Sequence, residues 1–204
     1  MRYSLSLVML IALAACQQEP DGAASVAADT AAASPAQADP PPTAPSVREV
    51  PEVTLSADGI ILIGAVEGRG TATTLTFGRD QTTVLDVLVI DFGKPKLSRL
   101  AECGAGPMEF AAWGPLTLNF LKGKFVGWRS EQGAPVVTID GLQLGNTFAE
   151  IRRERSAQRI PDTTLDGEFE YTSGDGGTVG GFLEGPGDAG KVVSLHAGTN
   201  CFFR

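Results

Sequence analysis

The sequence predicts an α+β fold that is mainly antiparallel β and contains a tandem repeat of a helix-plus-sheet unit of about 67 residues. Three observations support this prediction. Short runs of β-branched and aromatic residues alternate with glycine-rich turns, as in antiparallel sheets. Two segments carry the spacing or capping signals of helices. Several of these features also recur when the chain is shifted on itself by 67 residues.

Nine segments are predicted to be strands because β-branched and aromatic residues are concentrated between turn residues. Gly123 follows the fourth of them, so the fourth and fifth form a hairpin in which glycine adopts a positive φ. The glycine-rich run at 174–177 predicts another tight turn. The nine segments are 53–55, 59–63, 71–77, 116–120, 124–128, 136–139, 168–171, 178–183 and 192–196.

One helix is predicted over residues 147–155, which contain strong helix formers and no glycine. Asn146 or Thr147 is its N-cap, and Glu150 is placed to complete a capping box.

The segment 80–90 is open to two interpretations. Val84, Leu85 and Leu88 follow a helical spacing, whereas a buried strand would account equally for the apolar residues Val87, Val89 and Ile90.

The internal repeat is indicated by two aligned blocks. Leu75-Thr76-Phe77-Gly78 falls on Leu142-Gln143-Leu144-Gly145, and Gly123-Lys124-Phe125-Val126 falls on Gly190-Lys191-Val192-Val193. We therefore predict a degenerate tandem duplication with units at 70–136 and 137–204. Each unit would run from a strand through a glycine turn and a helix into further strands.

Leu144-Gly145-Asn146-Thr147, followed by Glu150-Ile151, resembles the opening of small periplasmic helix-plus-sheet modules. These modules are the BamE (SmpA/OmlA) lipoproteins and the tandem-repeat β-lactamase inhibitor proteins. The resemblance covers fewer than ten residues per unit, and the first unit lacks the matching glutamate after Phe77-Gly78. By analogy with the inhibitors, it implies that the chain could inhibit a hydrolase.

The first fifteen residues have the composition of a signal peptide. Arg2 supplies the positive charge, and the apolar run that follows is too short to span a bilayer. Leu13-Ala14-Ala15-Cys16 resembles the lipobox of bacterial lipoproteins. That resemblance implies cleavage before Cys16, lipidation of its thiol and stable anchoring in a membrane.

The predicted order along the chain is a signal peptide at 1–15, a lipidated Cys16 with a disordered Ala/Pro-rich tether over 16–46, and one periplasmic domain over 47–204. Gln17 follows the cysteine where an aspartate would favour retention in the inner membrane. We therefore expect the chain at the periplasmic face of the outer membrane, with the inner membrane as the alternative.

Two cysteines remain besides Cys16. In the oxidising periplasm, Cys103 and Cys201 are predicted to form a disulfide. The alternative is that Cys103 is a nucleophile. It would need a base, and the single histidine of the chain, His196, also suits the edge of the core.

The chain carries a net charge of −8, which argues against nucleic acid as a partner. Its basic cluster contains Arg152, Arg153 and Arg155, which form either a solvated helix face or a local anion site. Trp113 and Trp128 belong either to the core or to a ligand-binding platform.

No signature of a metal, nucleotide or hydrolase site occurs in the sequence, so no catalytic residue, metal or cofactor is predicted. The acidic stretch 162–175 could hold Ca²⁺, but its spacing matches no EF-hand or Gly-Asp repeat, and exposed charges on strands explain it equally. We therefore expect a non-enzymatic module that is attached to the membrane and binds an unidentified envelope protein. The alternatives are a hydrolase of envelope glycans that uses paired carboxylates and an inhibitor of a hydrolase.

Overall fold

The computed structural model describes residues 52–66 and 69–202, all of which lie in one unit of the chain, Ser46–Arg204. The predicted signal peptide, Cys16 and the tether lie outside the described residues, so they stay predictions. No helix among the described residues is long and apolar enough to cross a membrane.

The described residues form twelve strands, two α-helices and one short 3₁₀ helix. The helices are α1 (Gln81–Phe92) and α2 (Phe148–Glu154), and the 3₁₀ turn is Gly187–Ala189. The strands are β1 (Glu52–Ser56), β2 (Gly59–Val66), β3 (Arg69–Thr76), β4 (Lys96–Leu100), β5 (Met108–Trp113), β6 (Leu116–Leu121), β7 (Lys124–Glu131), β8 (Val136–Thr138), β9 (Gln158–Arg159), β10 (Glu168–Thr172), β11 (Thr178–Glu184) and β12 (Lys191–Gly198).

The strands build two sheets. The smaller sheet has the order β3-β2-β1-β8, and its β1–β8 pair is parallel. The larger sheet has the order β4-β5-β6-β7-β12-β11-β10-β9, and all its pairs are antiparallel. The predicted α+β class with mainly antiparallel strands is therefore confirmed.

Each of the nine predicted strands overlaps a strand of the structure, but β4, β5 and β9 were not predicted. The sequence of β5, MEFAAW, contains no β-branched residue. The sequence of β4, KLSRL, belongs to a largely exposed edge strand. A segment with little burial has little apolar alternation, which is the signal that identifies strands. Neighbouring strands and backbone pairing therefore define these elements.

The ambiguous segment 80–90 is a helix. Val84 and Leu88 lie one turn apart on the buried face of α1, while Ile90 is exposed on another face. This one-sided burial is the arrangement that a helix produces, since residues four apart share a face. Gly93 ends the helix with a φ of 73°, a conformation that glycine adopts at little cost.

Two local predictions are confirmed in detail. Lys122 and Gly123 both have positive φ in the two-residue turn between β6 and β7. Thr147 is the N-cap of α2, and its hydroxyl accepts a hydrogen bond from the Glu150 backbone N–H. The Glu150 carboxylate accepts from the Thr147 backbone N–H at 2.7 Å, which completes the capping box.

The core lies between one face of the larger sheet and a layer formed by both helices and the smaller sheet. Phe148 of α2 packs edge-on against Phe169 of β10, with ring centroids 6.0 Å apart. The Tyr171 hydroxyl of β10 contacts the Thr138 hydroxyl of β8 at 3.4 Å. Burial raises the pKa of Tyr171 to about 12. This face of the larger sheet is called the covered face below.

The larger sheet consists of two meanders, β4–β7 and β9–β12, which meet where β7 pairs with β12. A helix precedes each meander. The contacts between each helix start and the last strand of its meander also recur. Gly78 N donates to Phe125 O at 2.7 Å, as Gly145 N does to Val192 O at 2.8 Å.

A second pair of contacts follows the same register: Phe125 N donates to Arg79 O and Val192 N donates to Asn146 O, each at 2.9 Å. The spacing is not uniform within the meanders. β5 starts at Met108 and β10 at Glu168, so the intervening strands depart from the shift of 67 residues.

Candidate functional site

The second face of the larger sheet carries neither helix and is called the open face. Its residues follow from strand pairing, because side chains alternate between the two faces of a sheet. One row of paired residues crosses the sheet from edge to edge. That row contains Lys96, Ala112, Thr117, Arg129, His196, Gly180, Glu170 and Gln158.

Three rings form an aromatic cluster on the open face. The His196 ring lies 4.8 Å from the Phe202 ring and 5.5 Å from the Phe182 ring, and the two phenylalanine rings are 5.2 Å apart. Gly180 lies beneath His196, where an added Cβ would come within 2.6 Å of the imidazole Nε2. The glycine in β11 therefore leaves the space that the histidine ring occupies.

The segment 199–202 leaves β12 and returns over the open face. The Asn119 amide donates to the Thr199 carbonyl oxygen at 3.0 Å and to Asn200 Oδ1 at 2.7 Å. A Cβ at Gly127 would lie 2.3 Å from Thr199 O, so β7 has room for this segment because residue 127 is glycine. The segment is thereby held against β6 and β7.

A groove of about 370 Å³ lies between this segment and the first meander. Its lining combines apolar side chains with two cations and contains no aspartate or glutamate. The groove is lined by Lys96, Ser98, Leu100, Phe110, Ala112, Thr117, Asn119, Arg129, Asn200, Cys201 and Phe202.

The two cysteines of the predicted disulfide are neighbours. Both thiols are free in this structure, and the Cys103 thiol lies close enough to Cys201 to influence its pKa. Burial, together with a smaller effect of the neighbouring Cys103 thiol, raises the pKa of Cys201 to about 11. The fold thus brings residues 98 positions apart in the chain into contact, and the disulfide remains a prediction.

The tryptophans predicted as a ligand platform do not reach the open face. Trp128 is fully buried, with 0% of its surface exposed, and its indole N–H donates to the Ser56 carbonyl oxygen at 2.8 Å. Trp128 is therefore a core residue, which is the first of the two alternatives, and it is not available as a ligand platform. Trp113 lies on the covered side, where its indole N–H donates to the Gly93 carbonyl oxygen at 2.8 Å.

Arg152, Arg153 and Arg155 line an open depression of about 560 Å³ at the end of α2. Arg152 pairs with Asp188 at 2.8 Å, and Arg155 pairs with the neighbouring Glu154 at 3.0 Å. The guanidinium of Arg155 also lies 5.7 Å from the ring of Tyr171. Two of the three predicted cations are therefore neutralised by carboxylates of the chain.

The acidic stretch 162–175 is dispersed. The Asp175 carboxylate accepts hydrogen bonds from the backbone N–H groups of Ala57 at 2.8 Å and Gly177 at 3.1 Å. Buried Glu168 accepts a hydrogen bond from the Thr163 hydroxyl. Within the described ranges, 52–66 and 69–202, no three His, Cys, Asp or Glu side chains are grouped to hold a metal ion.

Two carboxylates of this stretch share the open face. Glu168 and Glu170 lie two residues apart on β10, and Glu170 accepts a hydrogen bond from the Gln158 amide at 2.8 Å. His196 on β12 pairs with Gly180 on β11, and Gly180 in turn pairs with Glu170 on β10. The contacts of its ring with Phe182 and Phe202 place His196, the candidate base, within the aromatic cluster of the open face.

Sequence reasoning missed the residues that form the groove and the aromatic cluster. Phe110 lies on β5, which was not predicted. Phe182 and Arg129 lie on strands that were predicted at least in part, but their facing depends on the pairing partners of those strands. Phe202 belongs to the returning segment, whose path is set by the contacts of Asn119 and Gly127.

No family model matches this chain, and no curated protein sequence matches it significantly. Among solved structures, a cysteine-rich secretory protein from Staphylococcus aureus subsp. aureus Mu50 is similar with 17% sequence identity and a TM-score of 0.36. The similarity covers 58% of this chain and 42% of that protein, so this chain spans less than half of its length.

Proposed function

We propose that this chain is a lipoprotein anchored through Cys16 at the periplasmic face of the outer membrane, and that its folded part binds another envelope protein. The sequence at 13–16 supports the anchor, and the composition of 16–46 supports a tether. The open face is the proposed binding surface. The observation that carries this assignment is the aromatic cluster of Phe182, His196 and Phe202 on that face.

Aromatic rings at a surface favour a binding role because they offer large, rigid contact areas at a small entropic cost. Phe182, His196 and Phe202 are all partly exposed, whereas Phe120, Phe125 and Phe169 on the covered face are fully buried. The exposed rings adjoin a groove, and paired strands support them from below. A partner would therefore meet a preformed surface and would not have to order a loop.

The repeat is part of this proposal. We infer that the two helix-and-meander units arose by tandem duplication, with the units near 70–136 and 137–204. The recurring hydrogen bonds at Gly78 and Gly145 support this inference. The strand order of the larger sheet supports it too, because four consecutive strands run inward from each edge and the last strands of the two meanders meet in the middle. Joining the two meanders through β7 and β12 produces a surface wider than either unit would offer alone.

Site-specific crosslinking in cells tests the binding surface. A photoreactive amino acid would replace Ser98 or Thr172, both exposed on the open face, or the control residues Thr82 and Val89, both exposed on α1. We expect Ser98 or Thr172 to capture a distinct protein that the α1 positions do not capture. A reporter protein carrying residues 1–51 alone controls for the anchor. Equal capture from all positions, or none above the anchor control, would contradict the proposal.

Inhibition of a hydrolase is the second function that we consider, and the two helix-and-meander units favour it. The presence of two such units supports this function only by analogy with the tandem-repeat inhibitors, to which the segment Leu144–Ile151 shows the resemblance. The same crosslinking experiment separates the two functions. A captured hydrolase whose activity falls when the chain is added would indicate an inhibitor, whereas a structural envelope protein would indicate an organising module.

A further inference from the structure

The groove on the open face is a preformed site of the size used for small molecules. Its volume of about 370 Å³ lies at the lower end of the range for ligand pockets. Phe110 and Leu100 supply apolar lining from the sheet, and Phe202 supplies it from the returning segment. Ligand sites combine such apolar walls with a few polar groups that orient the ligand.

Two cations bracket one end of this groove. Strand pairing places Lys96, Ala112, Thr117 and Arg129 in a single row across β4, β5, β6 and β7. The two cations are three strand spacings apart, or about 14 Å between their backbones. The small side chains of Ala112 and Thr117 lie between them. The long side chains of Lys96 and Arg129 can therefore converge on one group bound above Ala112 and Thr117.

The charge around the groove differs from that of the whole chain. The chain has 24 acidic and 16 basic residues, yet no acidic residue lines the groove. Lys96 makes no hydrogen bond or ion pair with the described residues. Arg129 pairs with Glu131 at 3.3 Å, and both side chains are more than one third exposed, so that pair stabilises the fold little.

We propose that this groove binds a single-chain fatty carboxylate. The head group would lie between Lys96 and Arg129, and the chain would lie along Phe110, Leu100 and Phe202. An anionic head group would balance the charge of the two cations, since no carboxylate lines the groove. An apolar chain would cover the apolar lining and remove it from water. The proposal concerns a small ligand and does not depend on the protein partner inferred above.

Titration calorimetry with dodecanoate below its micellar concentration tests the proposal. The protein is the chain from residue 16 to 204 with Cys16→Ser, so that no attached acyl chain competes. We expect saturable binding at one molecule per chain. Dodecanol and dodecylammonium should bind about tenfold more weakly or worse, since each lacks the charge-assisted contacts. Absence of saturable dodecanoate binding, or equal binding of dodecanol, would overturn the proposal.

Charge-neutralising variants locate the site. Lys96→Gln and Arg129→Gln should each weaken dodecanoate binding about tenfold, and salt should reduce the affinity of the unsubstituted chain. Arg99→Gln is the matched control, because Arg99 lies on the same strand as Lys96 but on the covered side, opposite Glu109 of β5 in the strand register. Circular dichroism and the thermal midpoint verify folding of each variant. An equal loss in Arg99→Gln would show that the groove is not the site.

Discussion

The indole N–H of Trp128 donates a 2.8 Å hydrogen bond to the carbonyl oxygen of Ser56 and thereby joins the two sheets. Trp128 lies on β7 at the centre of the larger sheet, and Ser56 ends β1 of the smaller sheet. The bond is buried, so the carbonyl has no access to water as an alternative partner. Trp128 therefore contributes both packing volume and a polar contact between the layers.

Trp128→Phe should lower the free energy of unfolding by about 2–4 kcal/mol. The change removes the indole donor from the buried Ser56 carbonyl and creates a cavity in the core. Denaturant unfolding followed by circular dichroism measures the loss. Trp113→Phe is the control, since Trp113 makes an equivalent bond to Gly93 at an exposed site, and it should cost about 1 kcal/mol or less. Equal losses would contradict the role assigned to Trp128.

The returning segment depends on the glycine at position 127. Gly127→Ala would place a methyl group 2.3 Å from Thr199 O and should displace residues 199–202 from β7. After the protein has been reduced and the reductant removed, we expect a thiol reagent to modify Cys103 and Cys201 faster in this variant than in the parent protein. Gly64→Ala, on β2, is the control because its Cβ meets nothing within 4 Å. Unchanged thiol reactivity in Gly127→Ala would show that the segment accommodates the methyl group.

The contact between Cys103 and Cys201 predicts a disulfide in the oxidised protein. Closing so long a loop should stabilise the fold by about 4 kcal/mol, and Cys201→Ser should remove that contribution. Denaturant unfolding with and without reductant measures it, and reductant should bring the parent protein close to the variant. Two titratable thiols in the denatured, unreduced chain bearing Cys16→Ser would refute the disulfide.

The capping box of α2 predicts a local stability effect. Thr147→Ala removes the hydroxyl that accepts from Glu150 N and should cost about 1 kcal/mol. Hydrogen bonds from the Thr147 backbone and side chain lower the pKa of Glu150. Because this folded-state pKa is depressed, its contribution is present above the unfolded pKa and is lost as pH falls. The difference in the free energy of unfolding between the parent and Glu150→Gln should therefore shrink as the pH falls. Denaturant unfolding at several pH values measures it, and a constant difference would contradict the role assigned to the Glu150 carboxylate.

Tyr171 predicts a loss of stability in strong base. Its pKa is raised by burial from 10.0 to about 12, so its contribution is full below pH 10. That contribution is lost progressively as pH rises toward 12, because the unfolded tyrosine ionises first. Thermal unfolding at pH 9 and 11 should show a larger decrease for the parent than for Tyr171→Phe. Identical decreases in both proteins would assign the base sensitivity to other groups.

Local sequence signals predicted the elements that depend on their own residues. The turn at Lys122-Gly123 follows from the backbone freedom of glycine, and the start of α2 follows from the capping pair Thr147 and Glu150. The ambiguity at 80–90 had a different origin. Val84 and Leu88 become distinguishable from Ile90 only when a neighbouring layer buries one side of the segment.

The candidate site was the least predictable part of the molecule. From the sequence, Trp128 could belong to the core or to a ligand platform. It is a core residue because strand pairing places it on the covered face. Arg129, its neighbour in sequence, points to the open face for the same reason. A strand reverses facing at every residue, so one position separates a core side chain from a groove side chain.

The sequence by itself determined the fold class, most of the strands, the helix cap and the hairpin, since these depend on short-range conformational preferences. Only the tertiary structure decided the two-sheet arrangement, the pairing of β7 with β12 and the return of residues 199–202 over the open face. These features depend on contacts between residues far apart in the chain. No local preference specifies which distant strands will bury each other's apolar faces.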